Sequence, residues 1–212
     1  MIDVHAPHER MHGFRDFLLH LLTITVGLLI ALGLEGCVEW RHHRHLVREA
    51  EEGMESEVSQ NLGTVQSLRK QIAEQQKGLD ADLAVLAGMR GHPQASHGKM
   101  SFGFGLKGFN DVAWKAAQST GAMGYMAYPD ARKYSDIYNT QAEVYEAEKR
   151  VVEGVLRAAS FPSTQGDDWS PTPQQIDDLT DRIGELRMRL MLLNSLVNAL
   201  DSTYREFQAK EK

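Results

Sequence analysis

The sequence predicts an all-α protein. One N-terminal transmembrane helix, residues 14–40, continues into an antiparallel helical bundle of three long helices and one short helix over residues 41–212, behind a flexible tail at 1–13. Three observations predict this. A single long apolar run stands near the N-terminus, apolar residues recur at three- and four-residue steps in three later segments, and only one short stretch alternates as a strand would.

The 212 residues give room for one ordinary domain and an extra segment. A formal charge of -6, with acids and bases evenly mixed after Arg41, offers no basic face for phosphate, so no nucleic-acid partner is expected. The lone cysteine, Cys37, excludes an internal disulfide and any cysteine-rich zinc or iron-sulfur centre within one chain.

From Phe17 to Leu34 the run "FLLHLLTITVGLLIALGL" contains no Asp, Glu, Lys or Arg. As a helix it is roughly 27 Å long, and its flanks bring it to the roughly 30 Å of a bilayer core. A buried helix of a soluble domain is the competing reading, but nothing else in the chain is apolar enough to surround such a helix. A cleavable signal is disfavoured by the length of the run, and a lipoprotein by Glu35, an acid inside the would-be lipobox Leu34-Glu35-Gly36-Cys37. Arg10 and Arg15 before the span nearly balance Arg41, Arg44 and Arg48 after it, a slight tilt towards a cytoplasmic C-terminal part that leaves both orientations open.

His20, Thr23, Gly27, Ala31 and Glu35 follow at helical steps and form one small and polar stripe, a candidate face for packing against a second copy or a partner membrane helix. At the exit Trp40, Arg41 and Arg44 suit the lipid-water interface. Glu39 and His42 have the Glu-x-x-His spacing of di-metal bundles, but interleaved arginines raise the cost of gathering a dication there, so no metal and no cofactor is expected. "VEWRHHRHLVREAEEG" then continues in helix formers without a break until Gly53.

The first bundle helix carries Val58, Val65, Ile72, Leu79 and Leu86 at seven-residue intervals with Leu62, Leu68 and Leu83 between them, and Asn61 and Gln75 interrupt the seam. A short helix fits "DVAWKAAQST", capped by Asn110 or Asp111 and stopped by Gly121. A third pattern, from about Asp130 to Ser160, places Tyr134, Tyr138, Tyr145, Val152 and Val155 on a broad face with Ile137, Val144 and Val151. The last has an unbroken heptad seam from Ile176 to Phe207, started by Thr172-Pro173-Gln174-Gln175 with a capping threonine, a proline at the first helical position and a glutamine at the third.

"SFGFGLKGF" alternates Phe102, Phe104 and Leu106 with glycines and spells Gly103-x-Gly105-x-x-Gly108. No strand-turn-helix unit surrounds it, so an extended piece whose rings cover an end of the bundle is expected rather than a dinucleotide loop. Phe102, Phe104, Trp114, Tyr134 and Tyr138 are the candidate pocket or end cap. No catalytic residue is nominated, because the chain has no Gly-x-Ser-x-Gly elbow, no His-Glu-x-x-His and no Walker loop.

The order of "TVGLLIALGLE", the aromatic exit "VEW", the block "AWKAAQSTGAM" and "YPDARKYSDIYNTQ" is similar to a family of bacterial single-pass membrane proteins built around a domain of unknown function. Cys37 is not part of that pattern. The resemblance implies an anchor with a helical domain and carries no catalytic residues. The expected function is therefore a non-enzymatic, membrane-anchored interaction or scaffold protein. A helical small-ligand sensor is the alternative, and a metal-dependent enzyme stands third.

Overall fold

The computed structural model describes residues 13–91, 100, 102–160 and 170–210. They form five helices, α1 (Phe14–Gly91), α2 (Val112–Ser119), α3 (Ala122–Tyr125), α4 (Tyr128–Ala159) and α5 (Pro173–Lys210), with no strand among them. The chain divides into two compact units, Met1–Arg48 and Glu49–Lys212, the division falling inside α1. The N-terminal tail lies outside the described residues.

In the first unit α1 is long and apolar enough to cross a membrane: its most apolar 18-residue window has a mean hydropathy of 2.4 and is 0% buried. Among the described residues no side chain covers it, unlike the core helix of a globular domain. Thr23 and Thr25 donate their hydroxyls to the carbonyls of Leu19 and Leu21, both at 2.8 Å, so neither leaves an unmet polar group on the apolar surface.

The second unit has its own core, built from three heptad seams. On α1 the buried residues alternate four- and three-residue steps from Met54 through Val58, Asn61 and Val65 to Met89, taking Gln75 and Asp82 into the same phase. On α4 the seam runs Tyr134, Ile137, Gln141, Val144, Glu148, Val151, Val155 and Ala158. Tyr145, expected on this face, is 39% exposed, and Val152 is half-buried, because Gln141 and Glu148 occupy the positions facing the core. On α5 all ten expected seam residues are buried. Its start is the expected capping box: the Gln175 amide donates to Thr172 Oγ1 at 3.3 Å, and the Thr172 amide to Gln175 Oε1 at 2.8 Å.

Polar contacts tie the long helices together. As residue numbers rise along α1 their partners on α5 fall: Ser59 with Gln208, Arg69 with Asp201, Asp80 with Arg187 and Arg90 with Asp177. Between α4 and α5 the order is Tyr134 with Phe207, the Arg150 carbonyl with Arg189, and Arg157 with Glu185. Gly154 sits where these two helices come close, since a Cβ there would lie 3.1 Å from Leu186 Cδ1. Gly53 does not break α1; a Cβ at that position would lie 3.0 Å from the Cβ of Ala113, so it makes room for α2.

Candidate functional site: a polar cluster beneath a strap

Residues 102–111 have neither helical nor strand structure and run back along α1. We call this segment the strap. Side chains of α1 and α4 bond to its backbone at successive levels. Gln71 Nε2 donates to the Gly105 carbonyl at 2.8 Å, the Lys107 amide donates to Glu148 Oε1 at 2.8 Å, and the Asn61 carboxamide both donates to the Asn110 carbonyl and accepts from its amide, each at 2.8 Å. An extended segment has unmet amides and carbonyls, and these side chains satisfy them where a neighbouring strand would otherwise be needed.

Beyond the strap, α2 has no close cap of its own, the Asn110 side-chain oxygen accepting the Val112 amide only at 3.5 Å. Asp111 occupies the cap position without a side-chain cap bond, and its carboxylate pairs instead with Lys115 at 2.8 Å. The cap comes from α1. Glu57 Oε1 accepts the Ala113 amide at 2.6 Å, while Oε2 accepts the Tyr138 hydroxyl at 2.7 Å and, at a longer 3.4 Å, the Trp114 amide. A buried carboxylate is costly unless donors surround it, and the helix N-terminus and the phenol supply them. Trp114 stacks on Tyr138 with centroids 4.8 Å apart and planes 9° apart. Burial and then the bond to Glu57 push the Tyr138 hydroxyl well above the usual tyrosine range, so it stays a donor.

Asn61, Gln141 and Tyr204 extend the cluster through the core. Burial raises the Tyr204 hydroxyl too, against the lowering effect of Asn61 and Gln141 beside it. Those two neighbours approach outside standard hydrogen-bond geometry. Further along α4, Glu148 is wholly buried, and desolvation lifts its carboxyl to about 7 against the opposing Lys107 amide and ammonium.

The five expected pocket residues are not gathered at one point. Trp114 and Tyr138 meet under the cap, Phe102 and Phe104 lie half-buried on the strap beside α1, and Tyr134 packs against Phe207 at 5.5 Å. A cleft of about 260 Å³ lies instead between the start of α4 and the end of α5, lined by Pro129, Arg132, Lys133, Asp136, Ile137, Thr203, Glu206 and Phe207. Lys133 Nζ sits 3.8 Å over the Phe207 ring, so the cleft has an apolar floor and a rim of both charges. Sequence reasoning missed it, because its lining comes from residues remote in the chain and has no motif.

In the first unit His20, Thr23, Gly27, Ala31 and Glu35 are all exposed, and a Cβ added at Gly27 would meet nothing within 4 Å. Trp40 is exposed with the Arg44 guanidinium 4.8 Å from its ring centroid, and Arg41 is exposed beside it. Glu39 pairs with His43 at 3.9 Å, the i,i+4 partner, rather than with His42. Among the described residues no group of three or more His, Cys, Asp or Glu is placed to hold a metal ion, and Cys37 is an exposed free thiol.

No protein-family model matches the chain, and neither a curated protein nor a solved structure matches it.

Proposed function

We propose that the protein is a non-enzymatic, membrane-anchored interaction or scaffold protein, single-pass in the cell membrane, with its C-terminal helical unit as the recognition part. One observation carries this reading: the apolar run of the first unit is 0% buried among the described residues, while the second unit has a buried apolar core of its own. Lipid is the natural cover for the first, and the small and polar stripe from His20 to Glu35 supplies a face for a second copy or a partner membrane helix. The reading accords with the resemblance to bacterial single-pass proteins.

The second unit is read as three packed helices in which α5 runs against both α1 and α4. The falling order of α5 partners along each of them supports this. If each runs against α5, α1 and α4 share a direction; the Glu57–Tyr138 bond supports their lying side by side, and the strap returning along α1 supplies the connection.

Cross-linking through Cys37 in native membranes tests the interaction reading. A specific dimer or a reproducible heterologous adduct is expected, and a monomer with no co-purifying protein would contradict it. The cleft at Phe207 favours a second reading, a small-ligand sensor, for which ligand-induced protection of α4 residues 129–137 is the discriminating result.

A further inference from the structure

The cleft at Phe207 is walled by two helices. On α4 Arg132, Lys133 and Asp136 lie within about one turn, on α5 Thr203 and Glu206 complete the rim, and the buried Ile137 and Phe207 form the floor. Two cations and two carboxylates thus surround apolar surface in one small concavity. Part of this rim is loosely bound. Arg132 Nε stands 3.8 Å from Asp136 Oδ2 with the two side chains 69% and 67% exposed, and a solvated pair at that separation contributes little. Lys133 is more engaged, with its ammonium over the Phe207 ring and in the field of Glu51 from α1. Thr203 donates its hydroxyl to the Ala199 carbonyl at 3.0 Å, which leaves its oxygen as an acceptor.

We propose that this cleft binds a small zwitterion with an apolar side chain, of the class of the apolar α-amino acids, by exchanging the Arg132–Asp136 pair for two pairs with the ligand. The inference rests on the small-ligand reading of the cleft and gives that reading a ligand class. The ligand carboxylate takes the Arg132 guanidinium, close to the start of α4, where the helix N-terminus also favours negative charge. Its ammonium takes the Asp136 carboxylate, with Glu206 and the Thr203 oxygen as further acceptors. The apolar side chain lies on Ile137 and Phe207.

This charge pattern selects against simpler ligands. A carboxylic acid would engage Arg132 and leave Asp136 without its cation, whereas an amine would leave Arg132 without its anion. A zwitterion replaces both partners at once. At about 260 Å³ the cleft is a little smaller than the roughly 300 Å³ at which pockets for drug-sized ligands begin, so it suits a molecule of amino-acid size.

Isothermal titration calorimetry of the full chain in detergent micelles tests this, with L-leucine, L-phenylalanine and the analogues of each that lack either the carboxylate or the ammonium. At least one of the two amino acids should bind, and loss of either charged group should weaken binding about tenfold or more. Arg132→Gln should weaken the amino acid by a similar factor, so that it and its amine analogue bind alike, with thermal unfolding unchanged because the broken pair is exposed. Hydrogen exchange of the saturated protein should slow at residues 129–137 and 203–207. An analogue with one charge that binds as tightly as its parent overturns the zwitterion assignment and leaves a ligand cleft in place. Binding by none of the probes overturns both, and binding that protects other segments but not these overturns the site. If R132Q fails to fold, Asp136→Asn replaces it, and there the amino acid and its carboxylic acid analogue should bind alike.

Discussion

Glu57 on α1 caps α2 from across the fold, accepting the Ala113 amide at 2.6 Å while its other oxygen takes the Tyr138 hydroxyl. One carboxylate thus joins α1, α2 and α4. Glu57→Ala removes the cap and leaves a buried phenol without its acceptor. It should destabilise the second unit by about 2 to 4 kcal/mol, with Glu57→Gln costing roughly half as much. Denaturant unfolding followed by circular dichroism checks this, and a loss under about 0.5 kcal/mol in E57A would contradict a stabilising cap.

The α5 capping box is exposed and makes few other contacts, so its effect can be isolated. Thr172→Ala should cost about 1 kcal/mol and raise exchange in the first turn of α5 without affecting the helix beyond it. Thr172→Asp should restore most of that loss, because a carboxylate both caps and favours the helix N-terminus.

Gly154 tests the close approach of α4 and α5. Its missing Cβ would sit 3.1 Å from Leu186, which is fully buried and has little room to move. Gly154→Val should overpack this contact and cost about 1 to 3 kcal/mol in equilibrium unfolding. A neutral result would show that the two helices yield easily here.

The acidity of Glu148 also predicts a pH dependence of stability. A carboxyl raised from 4.5 to about 7 in the folded state contributes most below pH 4.5 and loses that contribution as pH rises through 7. Between pH 5 and pH 8 the unmodified second unit should lose up to about 3 kcal/mol relative to Glu148→Gln. Parallel unfolding curves for the two proteins across that range would contradict the assignment.

What the sequence revealed depended on whether core positions were apolar. In α5 every seam residue from Ile176 to Phe207 is apolar or aromatic, and the rhythm, the cap and the start could all be read directly. In α4 the same rhythm passes through Gln141 and Glu148, so an apolar count drifted one step onto Tyr145 and Val152. The signal was still present: polar residues in strict phase with apolar neighbours at Asn61, Gln75, Gln141 and Glu148 mark places where a buried partner is needed. That the partner of Asn61 and Glu148 would be the strap backbone was not legible, because backbone groups carry no sequence signature. The alternating phenylalanines suggested a non-helical piece, but not that it lies beside α1 at the levels of Gln71 and Asn61. The short α3 helix was missed for want of any periodicity in four residues.

The central claim is that the exposed run from Phe17 to Leu34 is an anchor retained in the mature chain. Alkaline carbonate extraction of cell membranes tests it most directly, because it strips peripheral proteins and leaves integral ones. The full-length chain should remain in the pellet and leave it only with detergent. Recovery in the carbonate supernatant would contradict the account.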